Sequence, residues 1–395
     1  MKNLTLTLCL VFSISLFCQK ENNEIQFEHQ SWSKILKKAA SEKKIIFLDA
    51  YASWCGPCKW MAKNVFTNSE VATYYNKTFV NAKIDMEKDE GPDLASKYGV
   101  IAYPTFLFID GNGKVLHRIC GGMEAGDFIK QGKKALDINE RYSAIEASYT
   151  KNNQSETNAF NYFTAAELAC VDVYQEVKNY LDRTKKDQLF SEKNFGIIEH
   201  FTNDFTHASF SYLLDNYDKG VSLFGNKRID EKITNVYQSA IVDACREGND
   251  KYLEVIRAHF NAQKNTPIKK LNIFADMNWA RETGDTSAFF TSSIEYADNF
   301  LQESAGELNN LAWTFYEATS TNSYLNKALK WAERSIEIEE GYSNMDTYAH
   351  LLFKAGKLEE ARKQAQSAIE IGKKMGENVA GTEALLAVIS ERLKN

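Results

Sequence analysis

Residues 50–60 read AYASWCGPCKW and place two cysteines, Cys55 and Cys58, on either side of a glycine and a proline. The stretch before them, KKIIFLDAYAS at 43–53, is a nearly continuous apolar run of strand length, which is typical of a strand buried on both faces of a sheet. From Cys58 through about Tyr75, apolar side chains recur at helical spacing. The cysteine pair therefore lies at a predicted strand-to-helix turn.

The elements predicted around this turn alternate between helices and strands. In chain order they are a helix at 31–39, a strand at 43–53, a helix from Cys58 to Tyr75, a strand at 78–87, a short helix at 94–99, strands at 104–110 and 114–120, and a helix at 124–136. The sequence Gly111-Asn112-Gly113 marks the last two strands as a hairpin. This order predicts an α/β fold with a mixed sheet that helices cover on both faces.

Beyond about residue 140 the strand signals disappear, and the pattern is helical to the end of the chain. Residues 327–340 and 360–373 align at an offset of 33 residues, with small or apolar side chains at matching positions. Each segment follows another predicted helix, so each helix pair would bury its apolar face against its neighbour. The sequence therefore predicts helical repeats with a capping helix at 306–395, and a helical domain at 140–305 in which any repeats have diverged.

The N-terminus has the pattern of a secretory signal peptide. One early positive charge precedes an apolar run at 4–17, and polar residues return at Gln19. The run is shorter than the roughly 20 residues that span a bilayer. We expect residues 1–18 to be removed and the mature chain, which then has no transmembrane segment, to be periplasmic or secreted. A lipid anchor on Cys18 is the alternative, although a phenylalanine stands where a small residue would be needed.

Charge and cysteine content exclude several classes of function. The net charge is −6 and no long basic cluster occurs, which argues against a nucleic-acid partner. Export implies an oxidising environment, but five cysteines outside the signal segment are too few for a disulfide scaffold. Cys120 is expected to be either a redox partner or a small buried strand residue. Cys170 and Cys245 fall in predicted helices and can pair only if their Cα atoms lie within about 7 Å.

Three kinds of chemistry fit the pair Cys55 and Cys58. A structural zinc site needs four ligands, but the six histidines are dispersed and no second Cys-x-x-Cys motif exists. An inert disulfide across so short a loop would constrain little chain entropy and so would stabilise the fold little. A redox pair is favoured here, because a helix N-terminus stabilises the thiolate of the first cysteine. The second cysteine, one turn further on, can then resolve a mixed disulfide.

The motif WCGPCK at 54–59 resembles the active site of thioredoxin, and the resemblance covers roughly residues 30–137. It implies a thioredoxin fold within a domain at 19–139. It also implies that Cys55 attacks a client disulfide and that Cys58 resolves the mixed disulfide. No cofactor or metal is expected beyond this disulfide pair.

Four further positions match thioredoxins in the correct order. Asp49 matches the buried acid that helps deprotonate the second cysteine, and Lys83 matches the strand lysine that pairs with this acid. Burial of such an acid would raise its pKa and make it a usable base. Pro104 matches the proline whose cis peptide bond faces the disulfide, and Gly121 matches the glycine of the substrate-docking surface. A capped or salt-bridged strand residue is the alternative for Asp49.

The resemblance also implies a set of substrate-contacting residues around the pair. They are Trp54, Gly56, Pro57, Tyr103, Thr105 and Gly121. Trp54 could equally be a core residue. Tyr103 stands where thioredoxins usually have a small aliphatic residue before the proline, and in this it resembles protein disulfide isomerase. An oxidase or isomerase activity is therefore the alternative to a reductase.

These features predict an exported thiol-disulfide oxidoreductase, in the first place a reductase of envelope protein disulfides. The domain is similar to secreted bacterial thioredoxin-like proteins and to the periplasmic domain of the transmembrane disulfide-interchange reductase, which implies a membrane thiol-reducing electron donor. The segment LLFKAGKLEEARKQAQSAIEI at 351–371 resembles a tetratricopeptide repeat, which implies a client or partner protein on the all-α region. The alternative is an adaptor scaffold, in which the thioredoxin fold serves as a binding module for proteins.

Overall fold

The computed structural model describes residues 24–394. The chain divides into two compact units, Met1–Thr202 and Asn203–Asn395. The predicted signal segment at 1–18 lies outside the described residues. Among residues 24–394, none of the helices has both the length and the apolar character that crossing a membrane requires.

A four-stranded mixed sheet forms the centre of the first unit. Its strands are β1 (Ile45–Tyr51), β2 (Phe79–Asp85), β3 (Thr105–Ile109) and β4 (Val115–Cys120). They lie in the order β2-β1-β3-β4, with β1 parallel to β2 and antiparallel to β3. The last two strands form the predicted antiparallel hairpin. Because β1 is paired along both of its edges, its position is fixed by two neighbours.

Helices cover both faces of this sheet. The helices of the first unit are α1 (Trp32–Glu42), α2 (Gly56–Asn64), α3 (Ser69–Thr78), α4 (Gly91–Tyr98), α5 (Ala125–Leu136), α6 (Tyr142–Lys151), α7 (Glu156–Leu168), α8 (Tyr174–Arg183) and α9 (Glu192–Phe201). One apolar cluster joins α1 and α4 to the sheet through Ile35, Leu94 and Leu107. A second cluster joins α2, α3 and α5 to the other face through Met61 and Tyr75. The predicted mixed sheet with helices on both faces is therefore confirmed.

The single helix predicted after Cys58 is wrong, because two helices occupy this segment. α2 ends at Asn64, and α3 begins after a short break. The break has a local cause: the Asn68 side chain accepts hydrogen bonds from the backbone N–H groups of Glu70 and Val71 and so caps α3. Apolar spacing continues across this cap, which is why the sequence pattern suggested one helix.

Phe47 of β1 is the centre of the aromatic part of the second cluster. Its ring contacts the rings of Phe27, Phe66, Tyr75, Phe106, Phe108 and Phe128, with centroids 4.9 to 6.4 Å apart. Tilted and edge-to-face pairs of this kind each add about 0.5–1.5 kcal/mol beyond the burial of their area. This packing fixes the strand that leads into the turn of the two cysteines.

Helix α6, which packs against α7, covers β4, which would otherwise be an exposed edge strand. The backbone N–H of Tyr142, the first residue of α6, donates a hydrogen bond to Nδ1 of His117 at 3.1 Å. Burial lowers the pKa of His117 to about 4, so its ring is neutral near pH 7 and can accept this bond. The stacked rings of Tyr149 and Tyr162, with centroids 4.7 Å apart, join α6 to α7. These helices belong to the same compact unit as the sheet.

The second unit is helical in its described residues. Its helices are α10 (Ala208–Asp215), α11 (Tyr217–Phe224), α12 (Asn226–Arg246), α13 (Asp250–Asn261), α14 (Ile268–Thr283), α15 (Thr286–Phe300), α16 (Ala305–Ala318), α17 (Asn322–Ile338), α18 (Tyr342–Lys354), α19 (Leu358–Met375) and α20 (Ala380–Arg392). Small residues at matching places in α17 and α19 are fully buried: Ala328, Ala332, Ala361 and Ala365. The all-helical region is confirmed, whereas its assignment to tetratricopeptide repeats and the domain bounds at 139 and 305 stay predictions.

Candidate active site

Cys55 and Cys58 form a disulfide at the N-terminus of α2, with Cα atoms 5.3 Å apart. Cys55 is the N-cap residue, and its Sγ accepts a hydrogen bond from the backbone N–H of Cys58 at 3.1 Å. Pro57 stands in the first turn, where a missing N–H costs no helical hydrogen bond. Among residues 24–394, nothing beyond the adjoining residues and backbone of α2 lies within 4 Å of the place where Gly56 would carry a Cβ. The turn is therefore open at Gly56, and its N–H groups and helix dipole favour a thiolate on Cys55.

Aromatic side chains surround this disulfide. Tyr51 and Tyr103 pack against the small buried cluster of Ala52, Cys55 and Cys58, in which the two cysteines are only 2% and 3% exposed. Trp54 is 67% exposed, and its ring stands edge-on to Tyr103 with centroids 6.0 Å apart. The indole N–H of Trp54 donates to Oε2 of Glu87 at 2.8 Å. Trp54 is therefore a surface residue beside the disulfide and not a core residue.

Asp49 and Lys83 form a pair behind the disulfide. They lie opposite each other on β1 and β2, and the ammonium group of Lys83 donates a hydrogen bond to Oδ2 of the buried Asp49. The same ammonium lies 4.1 Å from the centroid of the Tyr51 ring, and Tyr51 packs against the cluster that contains the two cysteines. Asp49 Oδ1 has no hydrogen-bond partner in the described part of the chain. A row of contacts thus leads from the carboxylate to the disulfide, and one carboxylate oxygen is available to accept a proton.

Burial raises the pKa of Asp49 above its ordinary value of 3.8, and the charge and hydrogen bond of Lys83 oppose that rise. A carboxylate whose pKa moves toward neutral pH is a better general base. Burial, with the negative charges of Asp85 and Asp49, also raises the pKa of Tyr51 above 10.0. The Tyr51 phenol therefore stays protonated near pH 7, and the Asp49 carboxylate is the group suited to take a proton.

The loop before β3 carries the predicted proline. The Tyr103–Pro104 peptide bond is cis, as the resemblance implies. Gly121 has a φ of +87°, which favours glycine, and its N–H donates to the carbonyl of Pro104 at 2.9 Å. The hydroxyl of Thr105 donates to the carbonyl of Ala102 at 2.8 Å and is buried with its residue. Thr105 thus holds the loop through its side chain, and its predicted contact with substrate stays a prediction.

A second disulfide, which the sequence did not predict, joins Cys120 to Cys170, with Cα atoms 5.9 Å apart. Pairing of Cys170 with Cys245 is therefore wrong, and Cys245 is a buried free thiol whose pKa is raised by burial. The sequence pattern placed Cys170 inside a helix, but it follows α7 with a left-handed backbone at a φ of 49°. Cysteine spacing alone carried no signal for this pair, because the packing of α6 and α7 on β4 brings its members together.

The arrangement supports thiol-disulfide exchange. It offers a cysteine pair at a helix N-terminus, a buried acid on the strand that leads into this turn and a loop with a cis proline. Within residues 24–394, no group of three or more His, Cys, Asp or Glu side chains is placed to hold a metal ion.

Comparison with known proteins agrees with this geometry. The thioredoxin family model matches residues 23–134. The chain is 36% identical over 102 residues to thioredoxin-1 of Caenorhabditis elegans, a match that covers 26% of this chain and 81% of that protein. It is 32% identical over 114 residues to the chloroplastic thioredoxin Y of rice, covering 29% of this chain and 64% of that protein.

A third relative is a thiol:disulfide interchange protein by its name. The chain is 34% identical over 114 residues to the thiol:disulfide interchange protein DsbD of Actinobacillus pleuropneumoniae. This match covers 27% of this chain and 19% of that protein. The chain thus spans less than two thirds of the rice protein and about a fifth of the interchange protein.

We expect the substitution Asp49→Asn to stabilise the fold increasingly as pH rises. A carboxyl whose pKa is raised in the folded state holds its proton more tightly than it does in the unfolded chain. Its contribution to stability is therefore complete below pH 3.8 and is lost as pH rises through the raised pKa. The asparagine has no charge to bury. The stability of the variant relative to the wild type should therefore increase between pH 4 and pH 8.

The free energy of unfolding in urea, measured at several pH values for the oxidised protein, checks this. Asp127→Asn is the matched control, because Asp127 is an exposed carboxylate on α5. A difference between Asp49→Asn and the wild type that stays constant or shrinks with rising pH would contradict the raised pKa.

Proposed function

The chain belongs to the thioredoxin family through its N-terminal domain, and we propose that it is an exported thiol-disulfide oxidoreductase that reduces disulfides in envelope proteins. The observation that carries the proposal is the hydrogen bond from the Cys58 N–H to Cys55 Sγ at the first turn of α2. A sulfur in this position is stabilised as a thiolate, which is the nucleophile of disulfide exchange. Family membership and the Cys55–Cys58 disulfide both support a protein-disulfide oxidoreductase.

The reaction needs the pair in its reduced form. The Cys55 thiolate attacks one sulfur of a client disulfide, so that a Cys55–client disulfide forms and the other client sulfur leaves as a thiolate. Asp49 accepts the proton of Cys58, whose thiolate then attacks Cys55 Sγ and releases the second client sulfur. Two electrons have passed to the client, whose two thiolates take up one proton from Asp49 by way of solvent and one proton from solvent, and the Cys55–Cys58 disulfide seen here has formed.

Export is supported by the sequence pattern of residues 1–18, with its early positive charge and short apolar run. A reductase in an oxidising compartment has to be reduced again after each cycle. The relationship to an interchange protein favours a membrane-bound dithiol as the electron donor. This donor would reduce Cys55–Cys58 by the same exchange in reverse, becoming a disulfide itself.

The direction of the reaction rests on Gly56 and Pro57 between the cysteines. The sequence Cys-Gly-Pro-Cys resembles the reducing members of the family, whose potentials lie near −270 mV, as against about −120 mV for strong oxidants. Tyr103 before the cis proline is the feature that favours the second candidate, an oxidase or isomerase. Its ring packs against the cysteines and so can influence the stability of their disulfide.

The helical second unit is proposed to bind a partner protein. A groove of about 590 Å³ lies between α17, α18 and α19. Its lining includes Glu333, Ile336, Glu337, Glu340, Met345, Tyr348, Gln364, Ser367, Glu370, Ile371 and Lys374. Four carboxylates thus face one lysine, and that lysine is already paired with Glu370 at 2.8 Å.

The partly exposed Ile336, Tyr348 and Ile371 give the groove an apolar floor between these carboxylates. An acidic rim around an apolar floor is complementary to a segment in which basic and apolar side chains alternate. We assign the groove to such a segment of a client or partner protein. Binding there would hold a client on the chain while its disulfide is exchanged.

For the cysteine roles, we expect Cys58→Ser to accumulate a mixed disulfide with insulin, because the thiolate that resolves it is missing. Cys55→Ser should accumulate none and should not reduce insulin. Non-reducing gel electrophoresis with and without dithiothreitol detects the adduct. Cys245→Ser is the control and should behave as wild type, since that thiol is buried in the second unit. Trapping by Cys55→Ser, or by neither variant, would refute the assigned roles.

For the direction, we expect a reduction potential near −270 mV for the Cys55–Cys58 couple, within about 30 mV. Equilibration with dithiothreitol buffers followed by alkylation and mass spectrometry measures it for this pair separately from Cys120–Cys170. A potential above about −180 mV would rule out the reductase and favour oxidation or isomerisation.

For the groove, we expect the double substitution Glu333→Gln and Glu340→Gln to weaken binding of a peptide of alternating lysine and leucine. Two lost ion pairs at about 0.2–1 kcal/mol each predict an increase in Kd of roughly 2-fold to 30-fold. Fluorescence anisotropy at low and high salt measures it. Glu391→Gln on α20, outside the residues that line the groove, is the control for loss of a carboxylate elsewhere on this unit. Equal affinity of both variants would argue against the groove.

A further inference from the structure

The segment from Cys120 to Gly122 borders the space in front of the redox disulfide. Cys120 ends β4 and is paired with Thr105, the residue after the cis proline. The N–H of Gly121 is bonded to the carbonyl of Pro104 at 2.9 Å. A Cβ on Gly122 would lie 3.8 Å from Cβ of Pro57, in the turn between the two redox cysteines. The segment thus runs between the cis-proline loop and the start of α2.

The second disulfide fastens another part of the chain to this segment. Cys170, the partner of Cys120, lies in the turn between α7 and α8. Its left-handed φ of 49° is uncommon for a residue other than glycine. The turn that spans Ala169 to Val173 is therefore held beside the segment by a covalent bond. Both members of the pair belong to the first compact unit.

Arg118 holds the same turn a second time. Its Nε donates to the carbonyl of Ala169 at 3.2 Å. Its two terminal nitrogens donate to the carbonyls of Tyr98 at 3.3 Å and Gly99 at 3.0 Å, at the start of the loop that leads to the cis proline. One guanidinium thus ties the turn after α7 to that loop. Because a guanidinium is planar and rigid, these three bonds fix the spacing between the two segments.

Exposed apolar side chains stand around this double attachment. Ile101 in the cis-proline loop is 73% exposed, and Leu168 and Tyr174 at the two ends of the turn are 54% and 57% exposed. Scattered exposed apolar residues need no explanation. These three, however, lie on the two segments that Arg118 and the Cys120–Cys170 disulfide join. They offer an apolar contact surface to a chain that approaches the cysteines.

We propose that the turn Ala169–Val173, fastened by Cys120–Cys170 and Arg118, is a wall of the client site that selects protein disulfides in apolar segments. The inference rests on the proposed function and deepens it. The Cys120–Cys170 bond is a strut that stays intact through the reaction. A small disulfide reaches Cys55 without contacting the wall, whereas a protein client has flanking residues that lie against it.

The test compares one protein client with one small disulfide. The variant carries Cys120→Ala and Cys170→Ala, and Cys245→Ala is the control for loss of a cysteine. Each protein is prepared with Cys55 and Cys58 reduced, and alkylation with mass spectrometry verifies that Cys120–Cys170 is intact in the wild type. Single-turnover rates are measured with insulin and with oxidised glutathione. We expect the double variant to reduce insulin about 10-fold more slowly than the wild type does, and its rate with oxidised glutathione to differ by less than about 2-fold.

A second pair of variants keeps the test informative if the double variant does not fold. Leu168→Ser and Leu223→Ser both change a leucine that is 54% exposed, and Leu223 lies in the second unit. We expect Leu168→Ser alone to slow the reaction with insulin, by about 3-fold, with the glutathione rate unchanged. If the substitutions change the rates with insulin and with glutathione equally, or change neither rate, the proposed wall is wrong. The proposed oxidoreductase activity would not be affected by that result. A wild-type protein that reduces neither disulfide would overturn the proposed function and the wall together.

Discussion

The redox site depends on the double pairing and double burial of strand β1. Its hydrogen bonds to β2 and β3 set Asp49 opposite both Lys83 and Phe106. Its side chains alternate between two apolar clusters, with Phe47 in one and Leu48 in the other. A one-residue slip would exchange these faces, so the register of β1 is strongly specified. The register of this strand therefore fixes the position of its C-terminal end and of the turn that follows, which carries the two cysteines.

The burial of β1 also makes the charged form of the Asp49 carboxyl group costly in free energy. A carboxylate that is removed from water is destabilised, and a buried ion pair commonly fails to recover the full desolvation cost. Lys83 opposes the rise in the pKa of Asp49 but does not abolish it. An apolar side chain would suit this core position better for stability alone. We therefore attribute the acid at this position to the proton transfer proposed above, and not to folding stability.

Those parts of the site that depend on neighbouring residues in the chain, or on the family resemblance, could be predicted from the sequence. The strand-to-helix turn at Cys55, the hairpin at Gly111 and the cis bond before Pro104 each follow from residues close in the chain or from the family resemblance. The break before α3 was missed because a single capping side chain, Asn68, interrupts an otherwise continuous apolar pattern. Propensity and periodicity report average tendencies, and one side-chain hydrogen bond can override them.

The pairing of Cys120 with Cys170 could not be predicted, because it depends on where α6 and α7 dock. The sequence pattern predicts a domain boundary where strands give way to helices near residue 140, and this bound stays a prediction, while α6 to α9 lie in the same compact unit as the sheet. The edge strand β4 needs a cover, and α6 supplies it through the bond from Tyr142 to His117. Once this cover is in place, the turn after α7 has to end near the last residue of β4. The first helices of the helical part therefore belong to the same compact unit as the redox disulfide, and this position is the basis of the wall that we propose for the client site.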